Sequence, residues 1–134
     1  MPHLVLSGQG SPARWTGALG PAVHRWGRAV LKTSGWWRRH DDGALLVEGV
    51  VVEFSRPLHP VALVAAHHGR TIVRLWPAVP VERTRAVQRW LAVVARALQE
   101  EGAGDLVSTN IPADLWEDLE FRVAGEIGGG PEPG

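Results

Sequence analysis

Between Arg83 and Glu101 the chain places Val87, Trp90, Leu91, Val94 and Leu98 at i, i+3, i+4, i+7 and i+11, and Gly102 follows as a stop. That spacing predicts a helix with one apolar face. A one-sided helix cannot bury its stripe alone and needs a second layer. The runs upstream supply it: Ala44 to Phe54 is rich in β-branched residues, and Val61 to Ala66 and Thr71 to Trp76 are apolar. Arg56-Pro57 and His59-Pro60 break the first run from the second, while His67-His68-Gly69-Arg70 has the composition of a hairpin turn. The two runs beside that turn are therefore expected to be antiparallel neighbours in a sheet on which the helix lies.

The flanks are read by the same rules. His3 to Leu6 alternate weakly and end at Gly8-Gln9-Gly10, which predicts a short strand. From Ser11, with Pro12 at the first helical position, to about Leu31, the residues Trp15, Leu19, Val23, Trp26 and Val30 recur three or four apart. This pattern, interrupted at Gly20-Pro21, predicts two short helices meeting there. Past Gly104, a strand at Leu106-Val107, a cap at Asn110, a short helix to about Leu119 and a strand from Phe121 to Val123 are expected. One domain is read over 1–126, with a Gly- and Pro-rich tail over 127–134.

With 134 residues the chain is the size of one domain, and its zero Cys exclude disulfides, thiolate metal sites and a Cys nucleophile. No apolar stretch reaches the roughly 18 residues that would cross a bilayer, so a soluble, cytoplasmic protein without membrane contact is expected. Net charge is zero but unevenly spread: residues 1–74 hold nine Lys and Arg against four Asp and Glu, and residues 75–134 hold five against ten. His40-Asp41-Asp42 and His67-His68 lack metal-ligand spacing, so no metal is expected. Trp36-Trp37-Arg38-Arg39 is the other conspicuous segment. Adjacent indoles on a strand face opposite ways, which leaves one on a surface. Trp and Arg concentrate at protein contact centres, and the neutral overall charge does not suit nucleic acid. Trp36, Trp37, Arg38 and Arg39 are thus expected to form an interface with a protein partner or a second copy.

Two segments resemble the GCN5-related N-acetyltransferase (GNAT) family. Pro77-Ala-Val-Pro-Val-Glu-Arg-Thr-Arg-Ala-Val-Gln-Arg-Trp-Leu91 is similar to the family's strand, glycine loop and following helix. The stretch from Val107 through Asn110, Ala113, Leu115 and Trp116 to Phe121 is similar to its later strand, Asn-x-x-Ala helix and closing strand. The resemblance implies an α/β (α+β) GNAT-like domain, with a mixed, mostly antiparallel sheet flanked by helices. It also implies acetyl-CoA as cofactor, held by Val79, Val81, Arg83, Thr84, Arg85, Ala86, Val87, Gln88 and Asn110.

In such a loop, amides at a helix N-terminus donate to the cofactor's pyrophosphate, and glycines let it approach. Here Ala86 and Gln88 stand at the glycine positions, with Arg83, Arg85 and Arg89 near by. Trp116 stands where the family's Tyr serves as general acid, and indole cannot give up its proton as a phenol can. A base is implied on the strands before the loop, where Glu53, Glu48, His67 and His68 are available. The function implied is an acyl-CoA-dependent N-acetyltransferase with an eroded cofactor loop, acting on a small or protein amine. The alternative is a catalytically inactive relative serving as a binding or structural subunit.

Overall fold

The computed structural model describes residues 1–125. Eight strands form one sheet: β1 (His3–Leu6), β2 (Ala22–Trp26), β3 (Ala29–Arg38), β4 (Ala44–Glu53), β5 (Arg56–Leu58), β6 (Val61–His67), β7 (Arg70–Leu75) and β8 (Leu106–Thr109). Their order is β2-β3-β4-β6-β7-β1-β8, with β5 also on β4. Every strand pair is antiparallel. One α-helix, α1 (Arg85–Glu100), connects β7 to β8. Since β7 and β8 both run antiparallel to β1 and flank it, they point the same way, and α1 is the crossover that carries the chain past β1. The remaining helical pieces are 3-10 turns at Pro12–Ala18, Ala113–Leu115 and Glu117–Leu119.

The sheet curls as a half-barrel, and α1 packs on one of its faces. Thr84 starts the helix: its Oγ1 accepts from the Val87 amide at 3.1 Å, satisfying one of the first-turn donors. Val87, Trp90, Leu91, Val94 and Leu98 are all buried, as their spacing requires. They meet alternate residues of the strands, among them Leu4, Leu31, Val47, Ala62, Val64 and Val73. Trp90 lies against Gly49, where a Cβ would come within 2.4 Å of the indole, and its Nε1 donates to Thr33 Oγ1 at 3.3 Å.

The expected fold class does not hold. The sheet is not mixed, since only the isolated bridge Leu106–Val123 is parallel, and it is not flanked by helices, because the single α-helix among the described residues covers one face. Residues 11–31 fold as a 3-10 turn and the hairpin β2–β3, not as two helices. Val23, Trp26 and Val30 fit a helical period but also fall in strands that pair around Gly27-Arg28, where Gly27 takes a φ of +58°. Tertiary pairing decides such an ambiguity, and β3 gains a partner on each side by extending. Trp36 and Trp37 lie within β3. The expected helix after Asn110 is reduced to two 3-10 turns, and Phe121 to Val123 contributes one bridge where a strand was expected. The tail 127–134 lies outside the described residues.

Candidate functional site

Among the described residues the face of the sheet away from α1 carries no helix, yet it is apolar. The two interior strands β4 and β6 show why: Leu45, Val47 and Val51 point to α1, while Leu46 and Val50 point the other way, and Ala62 and Val64 alternate with Val61, Leu63 and Ala65. Strands buried on both faces read as continuous apolar runs, whereas a sheet wetted on one side alternates with polar residues. Here the second set is only half-buried.

A register shift in β3 between Thr33 and Gly35 places Trp37 opposite Leu46 and Trp36 opposite Val47. Trp37 therefore stands on the helix-free face, 64% exposed, while Trp36 sits at the margin of the helix-covered one. Leu46 pairs with Leu63 and Leu63 with Arg74. Together Trp37, Arg38, Arg39, Leu46, Leu63 and Trp76 line an open cavity of about 390 Å³. The Trp37 indole N–H donates to the Glu48 carboxylate, which fixes the ring on the face.

The charges at this end are partly spent locally. Arg38 pairs with Asp42 at 3.1 Å and Arg39 with Asp41 at 2.6 Å. The hydrogen bond from Arg39, followed by the Gly43 amide, holds the Asp41 carboxyl down at about 2, and Asp41 in turn raises Arg39. Lys32, opposite Val50, and Arg74, opposite Leu63, lie on the same face without an ion pair among the described residues. The face is thus apolar at its centre and net cationic.

The residues expected to hold acetyl-CoA fall in several places. Val79, Val81 and Arg83 line a depression of about 200 Å³ with Met1 and Trp76. Glu53 and Thr84 line another of about 300 Å³, beside the hairpin tip Phe54-Ser55. Arg85 pairs with Asp114, Ala86 and Val87 are buried in the core, and the Gln88 side chain donates to the Arg83 carbonyl at 3.2 Å. Asn110 ties down the N-terminus: its Oδ1 accepts from the His3 amide and its Nδ2 donates to the Met1 carbonyl, both at 2.9 Å. Trp116 donates its indole proton to the Ile111 carbonyl at 3.0 Å and meets the Phe121 ring edge-on. Glu48 is the partner of Trp37, and His67 and His68 stack edge-on at the exposed β6–β7 turn.

Of the four expected interface residues, Trp37, Arg38 and Arg39 share one cavity and Trp36 turns away. Leu46, Leu63, Trp76, Lys32 and Arg74 were not anticipated. Their signal was present in the unbroken apolar runs of β4 and β6, which promise more apolar surface than one helix can cover. Among the described residues no group of three or more His, Asp or Glu could hold a metal ion, and no helix is long and apolar enough to cross a membrane. No protein-family model, no curated protein and no solved structure matches the chain.

Proposed function

We propose that the protein is a binding module that docks onto a partner protein through the helix-free face of its sheet. The observation that carries this reading is the exposed Trp37 set beside half-buried Leu46 and Leu63 on a face that nothing in the described chain covers. Aromatic anchors in such pockets dominate the energetics of protein contacts. The partner's chemistry follows from the charges: Lys32 and Arg74 need carboxylates opposite them, and an identical face would bring like charges together. The partner therefore presents an apolar patch edged with Asp or Glu. Acetyl transfer to an amine, the activity implied by the GNAT resemblance, is favoured less because its expected residues are spread over several places, whereas three of the four expected interface residues, Trp37, Arg38 and Arg39, share one cavity.

Two synthetic peptides separate these readings, one alternating Phe with Glu and one alternating Phe with Lys. The acidic peptide should shift the amide resonances of Leu46 and Leu63 and the Trp37 indole, and Leu63→Asp should abolish the effect. Equal binding of the basic peptide, or shifts centred elsewhere, would overturn the proposal. Acetyl-CoA at millimolar concentration should leave the melting temperature unchanged. A concentration-dependent rise would favour the transferase instead.

A further inference from the structure

The sheet ends at β2, and the outer edge of that strand is open. β2 pairs with β3 around the two-residue turn Gly27-Arg28, with Trp26 opposite Ala29, His24 opposite Leu31 and Ala22 opposite Thr33. The pair that closes a two-residue turn is hydrogen-bonded, and such pairs alternate along an antiparallel ladder. Ala22, His24 and Trp26 therefore bond to β3, while the N–H and C=O groups of Val23 and Arg25 point outward, where no backbone partner meets them among the described residues. At the opposite end of the sheet, Leu106 of β8 already exchanges bonds with Arg122 and Ala124. Edge strands are usually guarded by a Pro, an inward Lys or a bulge. Ala22–Trp26 has none of these, and Val23 is 61% exposed.

The space beside this edge is shaped for side chains. Between β2 and α1 lies an open cavity of about 410 Å³, lined by Ala22, His24, Leu31, Val93, Ala97 and Leu119 among others. A water takes roughly 30 Å³, so the space is far larger than one solvent molecule fills. The arginines that α1 contributes to the wall are matched, Arg89 by Asp118 and Arg96 by Glu100, which leaves a mostly apolar lining without surplus charge. Arg25 also borders the cavity although its side chain belongs to the face away from α1, with Lys32, so the mouth runs along the outer edge of β2. Charge in the hairpin has one sign: Ala22 to Arg38 includes His24, Arg25, Arg28, Lys32 and Arg38 and neither Asp nor Glu. Arg25, Arg28 and Lys32 form no ion pair among the described residues. We propose that the outer edge of β2 takes up an extended segment of a partner protein as an added strand, antiparallel to β2, in which apolar and acidic residues alternate. Residues paired with Val23 and Arg25 share their face, so the acidic side chains stand beside Arg25, and the apolar ones between them enter the cavity against Leu31, Val93 and Leu119. Main-chain bonds supply the affinity, and the cavity and the charge select the sequence. A second copy of β2 fits less well, because it would bring two cationic hairpins together. The edge is separate from the Trp37 cavity and stands or falls independently of it.

A seven-residue peptide alternating Val with Glu, blocked at both ends, is the probe, and a peptide alternating Val with Lys is the control. The Glu peptide should slow hydrogen exchange at the Val23 and Arg25 amides and shift the resonances of Val93 and Ala97, while exchange at His24, already bonded to β3, stays as it was. N-methylation of its Glu residues, whose N–H groups face β2 in an antiparallel pair, should abolish binding, and N-methylation of its Val residues should spare it. Val23→Pro removes one outward N–H without breaking the β2–β3 ladder and should weaken binding about tenfold. Arg25→Glu should turn the preference toward the Lys peptide. Far-UV circular dichroism shows whether the variants are folded, and the methylated peptides test the unaltered protein if they are not. Leu63→Asp, which removes docking on the helix-free face, should leave this binding unchanged. Binding of the Lys peptide as tight as that of the Glu peptide, indifference to Glu methylation, or loss of binding in Leu63→Asp would overturn the proposal. So would a dimer in which the Val23 and Arg25 amides are protected without peptide, since a second copy would then hold the edge.

Discussion

Trp90 sets the closest approach in the core. Its ring occupies the space where any residue but glycine at position 49 would place a Cβ, 2.4 Å from the nearest ring carbon, and the contact joins α1 to the centre of β4. The ring cannot retreat without disturbing the bond from its Nε1 to Thr33, since both residues are buried. Gly49→Ala is therefore expected to destabilise the fold by about 1–3 kcal/mol, the usual cost of overpacking. Chemical denaturation of the variant checks this, and an unchanged midpoint would show that the ring moves freely. Trp90 was legible in the sequence as a member of the apolar stripe. Gly49 was not, because a glycine inside a strand signals a close approach without saying what approaches.

At the level of elements, the segment after α1 is held by side chains where backbone ladders are sparse. Gln99 is buried and fully engaged: its Nε2 donates to the Gly104 and Arg122 carbonyls, both at 3.0 Å, and its Oε1 accepts from the Arg122 amide at 2.9 Å. Those are bonds that a neighbouring strand would normally supply. Gln99→Leu keeps the volume but strands the Gly104 carbonyl and the Arg122 amide, while the Arg122 carbonyl keeps its bond from the Leu106 amide; a loss of about 1–3 kcal/mol is expected, with hydrogen exchange accelerating first at Arg122. Two turns earlier on the helix than Arg96, the Arg89–Asp118 contact ties the turn Glu117–Leu119 to α1, and the Arg96 Nε bond to the Leu119 carbonyl, at 2.9 Å, adds a second tie. The hydrogen bond from Arg89 holds the Asp118 carboxyl below its usual value. A depressed carboxyl stabilises the folded state above the unfolded value of about 3.9 and loses that contribution as pH falls through the folded one. Stability below pH 4 should accordingly fall more steeply in the parent than in Asp118→Asn, which is less stable at neutral pH. Parallel acid titrations would contradict this. α1, β4 and the β6–β7 hairpin follow directly from the period and breakers of the sequence. The region 11–31 did not, because its apolar spacing satisfies both periods and Gly27-Arg28, the turn that decides, is a weak hairpin signal beside Gly20-Pro21.

At the scale of the molecule, the one α-helix and eight strands of the described residues leave an imbalance: apolar residues alternate onto both faces of the sheet, and among those residues only one face is covered. The Trp36-Trp37-Arg38-Arg39 segment reads as an interface in the sequence, but which indole it exposes depended on the register shift in β3, and its neighbours Leu46, Leu63 and Trp76 meet only through strand pairing. An uncovered apolar face invites self-association, and charge opposes it. Lys32, the sole lysine of the chain, and Arg74 would confront their own copies across two such faces. The described fold is thus expected to be monomeric at low ionic strength and to associate as salt screens those charges, the reverse of an interface held by ion pairs. Sedimentation from about 0.02 to 1 M salt reads this, with the screening length falling from tens of ångströms to about 3 Å at the upper end. An amine-reactive cross-linker supplies the location, since only Lys32 and the Met1 amine can react, and Lys32-to-Lys32 products should grow with salt. A dimer that is tight at low salt and indifferent to its increase would mean that the cationic face is not where copies meet.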